Sequence, residues 1–89
     1  MVKKSKIRFA QLKAFLEGMH FSVARDNQGW QFEHARSGTI FHFRRYRATD
    51  RVYELDLFLV RTQLDVRGML SEDALAETAF KAAVAKAPA

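Results

Sequence analysis

The sequence predicts an α+β domain in which helices cover one face of a three-stranded antiparallel sheet. Before residue 20 and again after residue 52, apolar residues recur at three- and four-residue steps, which is typical of amphipathic helices. Between residues 21 and 43 they alternate with polar residues, as in half-buried strands. Two glycine-containing turns interrupt that stretch. The predicted order is therefore helix, three strands, helix, helix.

The first helix is predicted from about Arg8 to Met19, with Phe9, Leu12 and Leu16 on its buried side. Ser5 is a candidate N-cap for it. Residues 1–6 contain three lysines and are followed by no apolar run, so we do not expect a secretory signal peptide. We expect them to form a flexible, basic lead-in.

The strand register follows from the alternation of apolar and polar residues. His34 opposite Thr39 closes the second hairpin, and Arg25 opposite Trp30 closes the first. A shift by one residue would scatter the apolar side chains over both faces. We interpret the apolar face as core rather than as a base-stacking platform, with Arg25 resting on the Trp30 ring. The predicted core face consists of Phe21, Val23, Trp30, Phe32, Phe41 and Phe43.

Two further helices are predicted in the C-terminal third. The first runs from Tyr53 and ends before Gly68, a residue type that commonly follows a helix. Ser71 is the predicted N-cap of the last helix, which contains Leu75 and Phe80. The alanine-rich residues 82–89 are expected to fray.

The length and composition of the chain indicate a single folded globular domain. The 89 residues predict one domain (1–89), and 48% hydrophobic with 28% charged residues is typical of a folded globular chain. Cysteine is absent, which excludes disulfides and thiolate metal sites and favours a cytoplasmic location. No apolar run approaches the roughly 20 residues of a membrane span, so no membrane partner is expected. The net charge of +5 favours an acidic partner.

An arginine cluster is the strongest candidate binding site. It lies within residues 44–51, where Asp50 is the one opposing charge. The planar guanidinium fork is suited to phosphate, so RNA is the first expected partner. A solvated loop and a contact with an acidic protein are the alternatives. The predicted RNA-binding residues are Arg44, Arg45, Arg47 and Arg51, assisted by Lys3, Lys4 and Lys6.

Enzyme chemistry has less support in the sequence. His42 and Glu33 are predicted to share the polar face of the sheet, where they are either a solvated pair or a general base with its orienting carboxylate. His20 and His34 lie near strand ends without an evident partner. The spacing of histidine and acidic residues predicts no metal site, and no phosphate-binding loop or cofactor motif occurs.

Six short segments, in a fixed order, carry a resemblance to a known family. They are LKAFLEGMHF at 12–21, FEH at 32–34, SGTI at 37–40, YR at 46–47, VR at 60–61 and LDVRGML at 64–70. Together they resemble the HicA (YcfA-like) family of toxin–antitoxin mRNA interferases. The resemblance implies a double-stranded-RNA-binding-like (dsRBD-like) fold, RNA as ligand and an antitoxin-like protein partner.

The chain departs from this family where catalysis is expected. When the FEH segment is aligned, Gly29 takes the place of the family's catalytic histidine, and a shift by two residues would place Gln31 there. Loss of a general acid or base costs about 10²–10⁴ in rate. The sequence thus predicts an RNA-binding domain without ribonuclease activity or catalytic residues. The alternatives are a protein-interaction module, with an antitoxin-like or self partner, and a nuclease using His42 and Glu33.

Overall fold

The computed structural model describes residues 3–87. It confirms a small α+β domain with a three-stranded antiparallel sheet and three α-helices. A two-stranded sheet and a short 3-10 turn were not predicted. The elements are β1 (Lys4–Arg8), α1 (Phe9–Gly18), β2 (Ser22–Asp26), β3 (Gly29–His34), β4 (Thr39–Phe43), β5 (Arg51–Tyr53), α2 (Glu54–Val66), the 3-10 turn (Glu72–Ala74) and α3 (Glu77–Ala85).

The predicted register of the three-stranded sheet is confirmed. Arg25 pairs with Trp30 across β2 and β3, and His34 pairs with Thr39 across β3 and β4. The predicted core face is the buried one, with Phe32 fully buried and Val23 and Trp30 half-buried at its margin. Arg25 lies 5.2 Å from the centre of the Trp30 ring, as expected.

Phe9, the first residue of α1, is the centre of the core. Its ring is fully buried and lies 5.1–6.1 Å from the rings of four other aromatic residues. Leu12 and Leu16 follow on the same side of α1 and are also fully buried. This contact places the N-terminus of α1 over the sheet. The four neighbouring rings belong to Trp30, Phe32, Phe43 and Tyr46.

The prediction of a flexible lead-in is wrong for residues 4–6. They lie in β1, which pairs antiparallel with β5 through Lys4 opposite Tyr53. Ser5 is buried and is not an N-cap, because its hydroxyl donates to the Val52 carbonyl at 2.7 Å. The Ile7 N–H donates to the same hydroxyl at 3.1 Å, which satisfies the backbone where the register of the ribbon shifts. Residues 1 and 2 of the predicted lead-in lie outside the described residues.

The last helix begins later and ends later than the sequence predicts. Ser71 precedes the 3-10 turn, and the extended backbone of Ala76 delays α3 until Glu77. The predicted fraying from residue 82 is wrong for residues 82–85, since α3 continues to Ala85 and Val84 is fully buried. Residues 88 and 89 of that tail lie outside the described part of the chain. Within residues 3–87, none of the helices is both long and apolar enough to cross a bilayer.

Candidate nucleic-acid interface

Four of the seven predicted RNA-binding cations converge on one depression of the surface. The β1–β5 pairing brings the N-terminal lysines to the arginine cluster, an adjacency that the sequence left open. The depression has a volume of about 130 Å³. We call it the cationic depression; its lining consists of Lys4, Arg44, Arg45, Arg51, Tyr46, Tyr53 and Asp50.

Arg44 is held in place by two contacts. Its guanidinium lies 4.1 Å from the centre of the Tyr53 ring, a cation–π distance. Its Nε lies 3.6 Å from the Asp56 carboxylate. The side chain is nonetheless 53% exposed. Arg44 is therefore oriented by the protein while much of its side chain remains available to a ligand.

Tyr46 anchors this arrangement to the core. Its hydroxyl donates to the Asp56 carboxylate and accepts a hydrogen bond from the Tyr53 N–H at 3.0 Å. Burial, and then the hydrogen bond to Asp56, raise the pKa of the Tyr46 phenol well above its usual value. Tyr46 is consequently a neutral donor at physiological pH, and Asp56 is fixed between the phenol and Arg44.

The segment that carries the arginines is attached to the rest of the fold. The Phe9 and Ala10 N–H groups at the start of α1 donate to the Asp50 and Ala48 carbonyls at 2.8 and 3.0 Å. The Asp50 carboxylate accepts from the Arg47 N–H at 2.8 Å. That carboxylate also lines the cationic depression, where it offsets one of the positive charges.

The three remaining predicted cations lie outside the cationic depression. Lys6 is exposed on β1, on the same side of the strand as Lys4. Arg47 is exposed in the turn before β5, and Lys3 is exposed where its carbonyl accepts from the Glu54 N–H. Arg8 was missed: it is exposed at the end of β1 and donates to the Thr49 carbonyl at 2.9 Å.

Arg8 had a signal in the sequence, whereas the role of Tyr53 had none. Lys4, Lys6 and Arg8 alternate with Ser5 and Ile7, which is a strand pattern. The prediction instead assigns residues 1–6 to a flexible lead-in and begins the first helix at about Arg8. The stacking role of Tyr53 had no such signal, because it depends on a contact with Arg44 across the end of a strand.

The polar face of the sheet has no arrangement for acid–base catalysis. His42 pairs with Gln31 and Glu33 with Ile40, and both His42 and Glu33 are exposed. Within residues 3–87, no hydrogen bond joins the His42 imidazole to the Glu33 carboxylate. A general base needs such an orienting partner to fix its tautomer, so the geometry gives the nuclease alternative no support.

His34 has partners that the sequence did not reveal. Its Nδ1 lies 2.8 Å from the Ser37 hydroxyl and accepts from the Ser37 N–H at 3.2 Å. Its ring packs against Phe21, with 5.2 Å between ring centres. The prediction that His34 lacks a partner is wrong. Its contacts with Ser37 give it a structural role in the β3–β4 turn.

Gly29 occupies a position where the structure leaves no room for a side chain. Its φ of +146° is unfavourable for any residue with a Cβ. A Cβ built at this position would lie 2.0 Å from the Phe43 carbonyl oxygen. No histidine fits there without displacement of the β3–β4 pair.

A second unusual surface lies on α2. Leu57, Val60 and Leu64 are buried and face the core. The opposite side is apolar as well, although it faces solvent. We call it the outer face of α2; it consists of Leu55 (61% exposed), Phe58 (53%), Leu59 (48%) and Val66 (76%).

The fold and this site together define a small α+β domain with a preorganised cationic depression. Comparison of the chain with protein-family models, curated proteins and solved structures found no match. The likeness to the HicA family therefore stays a prediction.

Proposed function

We propose that this protein binds RNA through its phosphates, as a HicA-like domain that lacks ribonuclease activity. The observation that carries the proposal is the convergence of Lys4, Arg44, Arg45 and Arg51 on one depression. Phosphate contacts carry no sequence information, so binding is expected to be independent of RNA sequence.

The architecture is compatible with the dsRBD-like fold that the HicA resemblance implies. α1, the three-stranded sheet and α2 follow one another in the expected order. β1 and β5 are additions to that order, and they supply Lys4 and Arg51 to the proposed site. The lost catalytic position at Gly29 supports binding without cleavage.

Salt dependence tests the proposal. We expect four phosphate contacts to single-stranded RNA to give a slope of log K against log salt near −2.8, or roughly 50-fold weaker binding at 200 mM than at 50 mM salt. Arg44→Ala plus Arg45→Ala removes two contacts and should flatten the slope by about 1.4. Fluorescence anisotropy with labelled RNA measures both, and a gel of the RNA afterwards shows whether it is intact.

Arg36→Ala is the matched control. Arg36 is exposed in the β3–β4 turn, at the opposite end of β4 from Arg44. Its removal lowers the net charge without touching the cationic depression, so the slope should stay unchanged. If the folded double variant binds as tightly as the parent protein, the cationic depression is not the RNA site.

Protein–protein interaction is the second candidate function, and the outer face of α2 favours it. We propose a second copy of this chain as the occupant. Leu55 and Val66 lie near opposite ends of this face, at nearly equal distances from its middle. A two-fold axis through the middle makes the two helices antiparallel and places Leu55 of one copy against Val66 of the other. The face is only about 17 Å long, which predicts a weak, transient dimer rather than an interface of standard size.

Sedimentation velocity over a range of concentrations tests this dimer. Salt screens the repulsion between two chains of charge +5, so self-association should strengthen as salt rises, opposite to RNA binding. Phe58→Gln plus Leu59→Gln should abolish it, whereas Gln63→Ala, at an exposed position of the same helix, should not. A monomer at all concentrations and salts would rule the dimer out.

A further inference from the structure

We propose that the cationic depression prefers a phosphomonoester, the group at the end of an RNA strand, over the phosphodiesters of the RNA backbone. This inference rests on the proposed function and names the part of the RNA that the site recognises. It is carried by the charge of the depression and by the cations that continue from it along β1.

The depression collects cations that are distant from one another in the sequence. The cations reach this space from separate segments: Lys4 from β1, Arg51 from β5, and Arg44 and Arg45 from the segment after β4. Four positively charged side chains therefore border the same space.

The charge matches a dianion. A phosphomonoester carries about −1.5 to −2 charges and three terminal oxygens, whereas each backbone phosphodiester carries one charge. Four cations line the depression together with one carboxylate, that of Asp50, which already accepts from the Arg47 N–H. Arginine can contact two oxygens at once, so a group with three terminal oxygens uses more of these donors.

A neighbouring depression shows what distinguishes this site. It also borders Arg44 and is larger, at about 330 Å³, but its lining includes Asp26 and no second arginine or lysine. The smaller depression therefore holds the concentration of positive charge. We therefore assign phosphate binding to the cationic depression and not to the larger neighbouring one.

The exposed side of β1 presents further cations to the RNA nucleotides that follow the terminal phosphate. Lys6 and Arg8 follow Lys4 on that side at steps of about 6.6 Å. With the terminal phosphate beside Lys4, these two side chains lie where the next phosphates pass. The RNA end is thus held in the depression, and the following nucleotides lie over the β1–β5 ribbon.

Competition with one short oligonucleotide in three forms tests the inference. Unlabelled eight-nucleotide RNA with a 5′-phosphate, with a 3′-phosphate or with two hydroxyl ends displaces a labelled RNA at constant salt. At least one phosphorylated form should bind about tenfold more tightly than the hydroxyl form. In Arg45→Ala plus Arg51→Ala, the difference should fall below about twofold, while Arg36→Ala should retain it.

The outcomes separate this inference from the proposed function. Equal binding of all three forms would overturn the inference and leave general phosphate binding intact. Failure of all three to bind would overturn both. Millimolar inorganic phosphate should remove the advantage of the phosphorylated form and leave the hydroxyl form bound; equal displacement of the two would count against a monoester site.

Discussion

Replacement of Gly29 by alanine is expected to destabilise the protein by about 3 kcal/mol or more. The added Cβ would lie 2.0 Å from the Phe43 carbonyl oxygen, and the backbone φ of +146° is unfavourable for alanine. The contacted atom belongs to the backbone of β4 and cannot rotate away. Urea unfolding measured by circular dichroism gives the free energy of unfolding of both proteins.

Gly38→Ala is the matched control for Gly29→Ala. Gly38 also has a positive φ, +76°, but a Cβ there meets no atom within 4 Å. Its replacement should cost only about 1–2 kcal/mol, the cost of the backbone conformation alone. Equal losses for the two variants would show that the close approach to Phe43 is unimportant. The same clash predicts that Gly29→His does not confer ribonuclease activity.

Truncation of Phe9 to alanine is expected to cost about 3–5 kcal/mol. The Phe9 ring is fully buried and contacts Trp30, Phe32, Phe43 and Tyr46, so its loss leaves a cavity among four aromatic rings. Tyr46 orients Asp56 and thereby Arg44, and we expect looser packing there to weaken the proposed RNA binding as well. Thermal and urea unfolding measure the loss.

Phe58→Ala controls for the chemistry of this substitution. Phe58 is 53% exposed on the outer face of α2, and its truncation should change the free energy of unfolding by no more than about 0.5 kcal/mol. A Phe9→Ala protein as stable as Phe58→Ala would contradict the central position of Phe9 in the core. Phe9→Leu, which keeps most of the apolar volume, should lie between the two.

The three-stranded sheet could be predicted because its signals are local. Strand alternation, two glycine-containing turns and one apolar face allow a single register, and the pairs at His34 and Trp30 agree with it. The core position of Phe9, Leu12 and Leu16 follows from helical spacing in the same way. Information within about ten residues is sufficient for each of these elements.

The cationic depression could be predicted only as a list of charges. Four of its cations were named from the sequence, but their convergence depends on β1 meeting β5, and β5 has three residues. A strand that short has no measurable alternation. The stacking of Arg44 on Tyr53 and the contact with Asp56 depend on tertiary structure, and so does the close approach that excludes a histidine at Gly29.

The β1–β5 ribbon also affects when a binding-competent surface exists during folding. The hairpins of the three-stranded sheet close short loops, whereas the Ser5–Val52 hydrogen bond joins residues 47 positions apart. Closing a longer loop costs more chain entropy, which favours formation of the hairpins first. Lys4 then reaches the arginines late in folding, when the two ends of this loop come together. A nascent or partly folded chain carries the same cations dispersed, and its attraction for RNA is that of any basic polypeptide.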